Sequence, residues 1–210
     1  MKLTVFGATG GIGQEIVKQA LSAGHVVTSV VRDPSRFTVS GERLTVVRAA
    51  LTDPQELREA VAGRDAVLSG LGARSRKDAG TATRLTRTVL RAMEAGTTRR
   101  LVVVSAAPVG PHPARQPVVD RIVGRLVSAA LKPVYVDLRA MEDELAGSAT
   151  DWTSVRPPKL TDAPLTGTYR KVVGGTPRSG RTIARADVAH AMLAVLDDPA
   201  TVKQGVGVAY

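Results

Sequence analysis

Three glycines, Gly7, Gly10 and Gly13, recur at three-residue intervals in the stretch GATGGIG. The aliphatic run Leu3–Phe6 leads into them, and Ile12, Ile16, Val17, Ala20 and Leu21 follow with helical periodicity. Such a stretch grips phosphate without side chains. One glycine permits a tight strand-to-helix turn, one lets backbone N–H groups approach a pyrophosphate, and one lets the helix pack close to the strand. The helix N-terminus adds unpaired donors and a positive dipole end. Gly7, Gly10 and Gly13, with Gly11 and Ile12 between them, are the expected dinucleotide-binding loop.

A second basic feature lies at the end of the next apolar run, Val26–Val31. Sites for NAD place Asp or Glu there, about 20 residues past the glycines, to accept from the ribose 2′-hydroxyl. This chain has Arg32, and Arg36 one turn further on, in VVRDPSR. A guanidinium matches a 2′-phosphate and does not replace an acidic acceptor. The expected cofactor is NADPH. Asp33 stands beside Arg32, so ribose contact by its carboxylate stays open.

Further candidates follow later strands, at the edge where such sheets bind ligands. Leu51, in the loop after the third strand, would pass near the adenine. After the fourth, SGLGARSR offers Gly70 and Gly72 for close approach, with Arg74 and Arg76 either on phosphate or solvated. Ser105 follows the fifth strand. No histidine and carboxylate accompany it in sequence, so nucleophilic hydrolysis is a poor reading; either it donates a hydrogen bond beside the nicotinamide or it caps a turn. Tyr135-x-x-x-Arg139 is the nearest approach to a Tyr–Lys base, and arginine is a poor stand-in for the lysine. His25 and His190 read as structural, while His112 lies in a proline-rich loop on the substrate side. No His, Asp and Glu cluster has metal-ligand spacing, so no metal is expected.

The elements that must position these residues alternate. Strands are expected at Leu3–Phe6, Val26–Val31, Leu44–Val47, Ala66–Leu68, Leu101–Val104 and Trp152–Val155. Helices are expected from Ile12 to Gly24, from Pro54 to Val61, around Leu85–Met93, over Val118–Val127, over Val136–Leu145 and over Asp187–Leu196 with Asp187 as N-cap. That rhythm predicts an α/β fold, a Rossmann-type doubly wound parallel sheet with helices on both faces. The single domain spans residues 1–210, and the irregular stretch 156–185 forms a small C-terminal substrate-side lobe.

Composition limits the partners. The chain has no cysteine, which excludes disulfides and thiolate catalysis. No apolar run approaches the ~20 residues of a membrane helix, and the short apolar start is occupied by the glycine motif, so a cytoplasmic protein is expected. The net charge of +10 favours anionic ligands. Aromatics make up only 3%, too few for base-stacking platforms. The stripe Arg84, Arg87 and Arg91 reads as a solvated helix face, so nucleic acid is not an expected partner.

Together these stretches resemble the NmrA-like, NAD(P)H-binding branch of the atypical short-chain dehydrogenases. The nearest likeness is to the flavin reductase family that includes biliverdin reductase B. The resemblance rests on FGATGGIG, VVRDPSR, GRDAVLSGLGAR, VVSAA and RPPKLTDAPLTGTYR, and covers nearly the whole chain. It implies a monomer that uses NADPH to reduce a small, flat conjugated acceptor such as a flavin or quinone. Gly7, Thr9, Gly10, Gly13, Arg32 and Arg36 match that family's cofactor-contacting positions, Leu71, Gly72 and Arg74 its loop after strand four, and Ser105 a serine beside the nicotinamide. Lys159 stands where the mammalian flavin reductase has a histidine after its Pro-Pro pair. A lysine usually stays charged where a histidine would give up a proton near neutral pH. Ser105 and Lys159 are the candidate catalytic residues. NmrA-like proteins also include dinucleotide sensors that bind NADP without turnover and act through a protein partner, and the missing Tyr–Lys pair fits that alternative equally.

Overall fold

The computed structural model describes residues 1–72, 79–111 and 131–210. The amphipathic stretch Val118–Val127, Arg74, Arg76 and His112 lie outside them.

The aliphatic runs form the strands of one sheet. These are β1 (Lys2–Phe6), β2 (Val26–Val31), β3 (Leu44–Arg48), β4 (Ala66–Ser69), β5 (Arg100–Val104) and β6 (Asp151–Arg156). Two later strands complete it, β8 (Arg170–Val173) and β10 (Gln204–Ala209). The order is β3-β2-β1-β4-β5-β6-β10-β8. Every pair is parallel except β10 with β8. Direction of strand order reverses at β1 and β4, so the crevice of a doubly wound sheet opens above their carboxyl ends.

Side chains alternate across the pleat and build two cores. Leu3 and Val5 of β1 join Val102 and Val104 of β5 on one face. There they meet α1 (Gly11–Ser22) and α5 (Arg185–Ala194) through Ile16, Val17, Val188 and Met192. Phe6, Leu101 and Val103 point to the other face. Helices α2 (Pro54–Val61), α3 (Thr81–Glu94) and α4 (Lys132–Ala146) cover it with Leu57, Val89, Met93, Met141 and Leu145. Trp152 is buried in this second core. Burying one such side chain stabilises the fold by about 1.5–3 kcal/mol.

Pro133 lies in the first turn of α4, where its missing N–H costs nothing. The helix therefore begins at Lys132, ahead of the expected Val136. The N-cap of helix α3 is Gly80, a left-handed residue with no capping side chain. The cap comes from another helix. The buried carboxylate of Asp137 in α4 accepts from the backbone N–H of Ala82 and of Thr83, each at 3.0 Å. It also lies 2.6 Å from the Thr83 hydroxyl.

The stretch 156–185 is more regular than its composition implied. β7 (Lys159–Thr161) and β9 (Thr182–Ala184) make a separate parallel ribbon, and β8 extends the main sheet. The strand β10 carries Gly205 and Gly207 within its six residues, which broke the aliphatic pattern. Asp187 is not the N-cap of the last helix. That place belongs to Ala184, and Asp187 falls in the first turn.

Replacing Asp137 with Ala should lower stability by about 2 kcal/mol, since it orphans buried donors and removes a cap. Replacing Arg87, whose ion pair with Glu144 is solvated, should leave the transition unmoved. Urea denaturation of the two variants tests the contrast.

Candidate functional site

Gly7 ends β1 with φ +73°, a left-handed conformation. A Cβ placed there would lie 2.8 Å from the carbonyl carbon of Gly70 and 2.9 Å from the N of Leu71. A Cβ on Gly13 would collide with the carbonyl of Gly7. Gly10 donates its N–H to that same carbonyl at 2.9 Å, closing the turn, and serves as the N-cap of α1 without a side chain. The glycines thus pack the loop after β1 against both the helix and the loop after β4. Gly70 was expected to make room for a ligand; it makes room for the glycine loop itself. Thr9 is half-buried in the turn. The side chain of Ile12 is buried in the core, so only its backbone is available to a ligand. Gly11 is exposed.

Beyond β2, Arg32 and Arg36 are both exposed. Asp33 turns to the chain itself. Its carboxylate accepts from the Ser35 hydroxyl at 2.7 Å and the Ser35 N–H at 3.1 Å, capping the short turn Pro34–Arg36. Those bonds, helped by the charges of Arg36 and Arg48, hold the Asp33 carboxyl below its usual range. Arg48 was not foreseen. It ends β3 opposite Val31, so a third guanidinium stands at this corner.

Leu51 has φ +62°, uncommon for a residue with a side chain, while that side chain is buried. Holding it there costs roughly 1–3 kcal/mol. Leu71 is half-buried against the second core, with its N–H 3.4 Å from the Ser69 hydroxyl. Gly72 is exposed and has open space where a Cβ would stand.

The carboxyl ends of β5 and β6 run on together. Ser105 donates its N–H to Val155 at 2.8 Å, and Ala107 does so to Pro157 at 2.8 Å. Ser105 is only 8% exposed, and its Oγ is buried with no hydrogen-bond partner among the described residues. It caps no turn. A buried hydroxyl without a partner costs free energy that a ligand acceptor would recover. Lys159 opens β7 three residues past β6 and is exposed. The structure shows no bond between it and Ser105. Arg156 anchors the approach to Pro157. Its guanidinium and the Glu142 carboxylate, 12% and 11% exposed, form a two-pronged ion pair, and Ser154 donates to Glu142 at 2.7 Å. Gly110 and Gly205 leave space for that guanidinium; glycines facing each other across one arginine were the overlooked signal.

Tyr135 and Arg139, one turn apart in α4, meet different surroundings. Burial pushes the Tyr135 phenol up, which makes it a weaker base-forming group. Arg139 donates to the carbonyl of Pro108 at 3.2 Å.

The substrate-side segment is tied down by Asp187. Its buried carboxylate accepts from Thr166 N–H at 3.1 Å, Thr166 hydroxyl at 3.0 Å, Gly167 N–H at 2.8 Å and Tyr210 hydroxyl at 2.5 Å. Burial opposes its ionisation, but these donors outweigh burial and hold the carboxyl below its usual value. Nearby, the Tyr169 hydroxyl and His190 Nδ1 are hydrogen-bonded at 2.8 Å. Burial, with the charge of Asp187, pushes Tyr169 up to about 12, so it stays protonated.

These features suit a nicotinamide dinucleotide: a side-chain-free turn at the head of α1, arginines past β2, and an unpartnered hydroxyl at the end of β5. Among the described residues no group of His, Cys, Asp and Glu is placed to hold a metal, and no helix is long and apolar enough to cross a membrane.

Residues 7–199 match the sequence model of a family described as NAD(P)H-binding. A short-chain dehydrogenase/reductase from Veillonella parvula, solved with NADP, superposes with TM-score 0.83 at 21% identity, covering 100% of this chain and 94% of that one. A candidate NADH-flavin reductase from Streptococcus pneumoniae gives 0.78 at 21% identity, covering 100% and 99%. At such identities the likeness shows the fold. A curated relative, the photosystem II assembly factor Ycf39 of Synechocystis, is 34% identical over 76 residues. That match takes in 36% of this chain and 23% of the relative's length.

Gly13→Ala should abolish dinucleotide binding and lower the melting temperature, whereas Gly72→Ala should melt as the parent does; thermal scans with and without NADP separate them. Asp187 sets a pH dependence. Its native pKa is depressed, so its stabilisation is full above the ordinary carboxylate range and is lost as pH falls through the native value. Melting temperatures measured down to about pH 3 should fall less steeply in Asp187→Asn than in the parent.

Proposed function

For a chain that belongs to the NAD(P)H-binding family, we propose the work of an NADPH-dependent oxidoreductase that reduces a flat conjugated acceptor such as a flavin or a quinone. When bound, the dinucleotide supplies the hydride. The chain's own residues bind, orient and exclude water.

The observation that carries this reading is the split between Tyr135 and Arg139. A dehydrogenase acting on an alcohol needs a base to take the hydroxyl proton. Here burial raises the phenol, and the arginine, no substitute for a lysine, donates to Pro108. An acceptor that takes hydride into a conjugated ring and its proton from solvent asks less. Positioning then supplies most of the rate. Ser105 fits a donor beside the nicotinamide, because its hydroxyl is buried and has no partner among the described residues. Lys159, exposed at the start of β7, fits a charged group at the cleft's outer wall and a weak proton source.

The preference for NADPH over NADH rests on the corner past β2. One carboxylate oxygen of Asp33 is engaged by Ser35, which ties the acidic group to its own turn. Arg32 and Arg36, with Arg48 beside them, suit a phosphate there. Leu51, Leu71 and Gly72 line the loops that would flank the adenosine, with Arg74 following. We read the protein as a cytoplasmic monomer acting on a small molecule.

The test follows NADPH absorbance with FMN, riboflavin and a small quinone offered in turn, and NADH as the control. Acceptor-dependent loss with NADPH, far slower with NADH, is the expected result. Binding without turnover on any acceptor would replace it with the sensor reading. Arg32→Gln should raise KM for NADPH roughly tenfold or more, as the loss of a charge-assisted contact implies, and leave that for NADH unchanged.

A further inference from the structure

We infer that Arg185 is a phosphate-contacting residue of the dinucleotide site, and that Asp162 holds its guanidinium until the cofactor's pyrophosphate displaces that carboxylate. This rests on the dinucleotide reading above.

Arg185 is the first residue of α5, far from the glycine loop in sequence. Its backbone is fixed relative to α1, because Gln19 of α1 donates its side-chain N–H to the Ala186 carbonyl at 2.9 Å. Its side chain lies across the start of α1. A Cβ built on Gly11 would stand 2.6 Å from Arg185 Cδ and 3.0 Å from Nε. The glycine at position 11 therefore makes room for an arginine, not only for a ligand. That places a cation beside the turn whose backbone suits a pyrophosphate, at a helix head with no side-chain cap.

The guanidinium meets Asp162 Oδ1 at 2.5 Å. The arginine side chain is 32% exposed and the carboxylate 89% exposed. A pair so open to water gains little from its charges. A phosphate offers the planar fork two oxygens and twofold contact, in a site lined by further donors. The exchange from carboxylate to phosphate is thus downhill when cofactor arrives.

Asp162 also connects the two halves of the site. It directly follows β7, which begins at Lys159, and Arg185 directly follows β9. Thr161 and Ala184 are the last register pair of that ribbon, so Asp162 and Arg185 continue it. Release of Asp162 frees the end of the segment that leads to the substrate side.

The experiment is a fluorescence titration of the full chain with NADPH and with NADH, using the parent, Arg185→Gln and Asp162→Asn, with a thermal scan of each. Arg185→Gln should weaken both cofactors by roughly tenfold to a hundredfold, the worth of a charged contact. Asp162→Asn should tighten both by roughly twofold to fivefold, since a weak competitor is gone. A merely structural latch would move both variants the same way, so weakening in Asp162→Asn overturns the inference. Unchanged affinity in Arg185→Gln also overturns it. Loss confined to NADPH would put the guanidinium at the 2′-phosphate and overturn it too. If Arg185→Gln fails to fold, the sign of the Asp162→Asn effect decides alone. A parent that binds neither cofactor defeats the dinucleotide reading itself, a distinct outcome.

Discussion

At the head of the site, backbone rests on backbone. The turn after β1 fits against the start of α1 and the loop after β4 only because Gly7, Gly13 and Gly70 present no side chains to one another. This contact sets where α1 begins, and so which N–H groups face the crevice. It also fixes the spacing of β1 and β4, the two strands between which the order reverses. The remaining candidate groups are measured from that junction. Arg32 and Arg48 stand one and two strands to one side, and Ser105 stands two strands to the other.

Around this head, the lobe is held by polar ties as well as by the packing of Ile183, Leu160 and Tyr169 against the first core. Asp187 gathers two loop amides, a threonine hydroxyl and the Tyr210 hydroxyl. Tyr210 in turn accepts from the N–H of Ala184, the residue at the N-cap of α5. The segment 162–169 is mostly exposed and depends on those ties for its path.

The central strands were legible because parallel strands buried on both faces read as unbroken aliphatic runs. The glycine motif was legible because its spacing and its flanks agreed. The last strand was not, since Gly205 and Gly207 interrupt it for reasons far away in sequence. Gly205 yields to the Arg156 guanidinium, and Gly207 faces the carbonyl of Gly175. Asp187 looked like an N-cap because local rules favour an acid at a helix start. Its true partners lie about 20 residues away on either side, beyond the reach of any local rule. Arg185 escaped notice for the same reason: nothing near it in the chain marks the glycine it covers. The Ser105 hydroxyl was singled out from its place at a strand end, but its lack of a partner belongs to the folded state alone.

Among the described residues the sheet ends at β3 on one side and β8 on the other, and each edge strand carries basic side chains. β3 ends in Arg48, and β8 opens with Arg170 and Lys171. Unpaired strand edges are templates on which a second chain can add, and cations there are the usual guard. Part of the surplus of +10 thus sits where edge-to-edge pairing would have to begin, with a reach that shortens as salt is added.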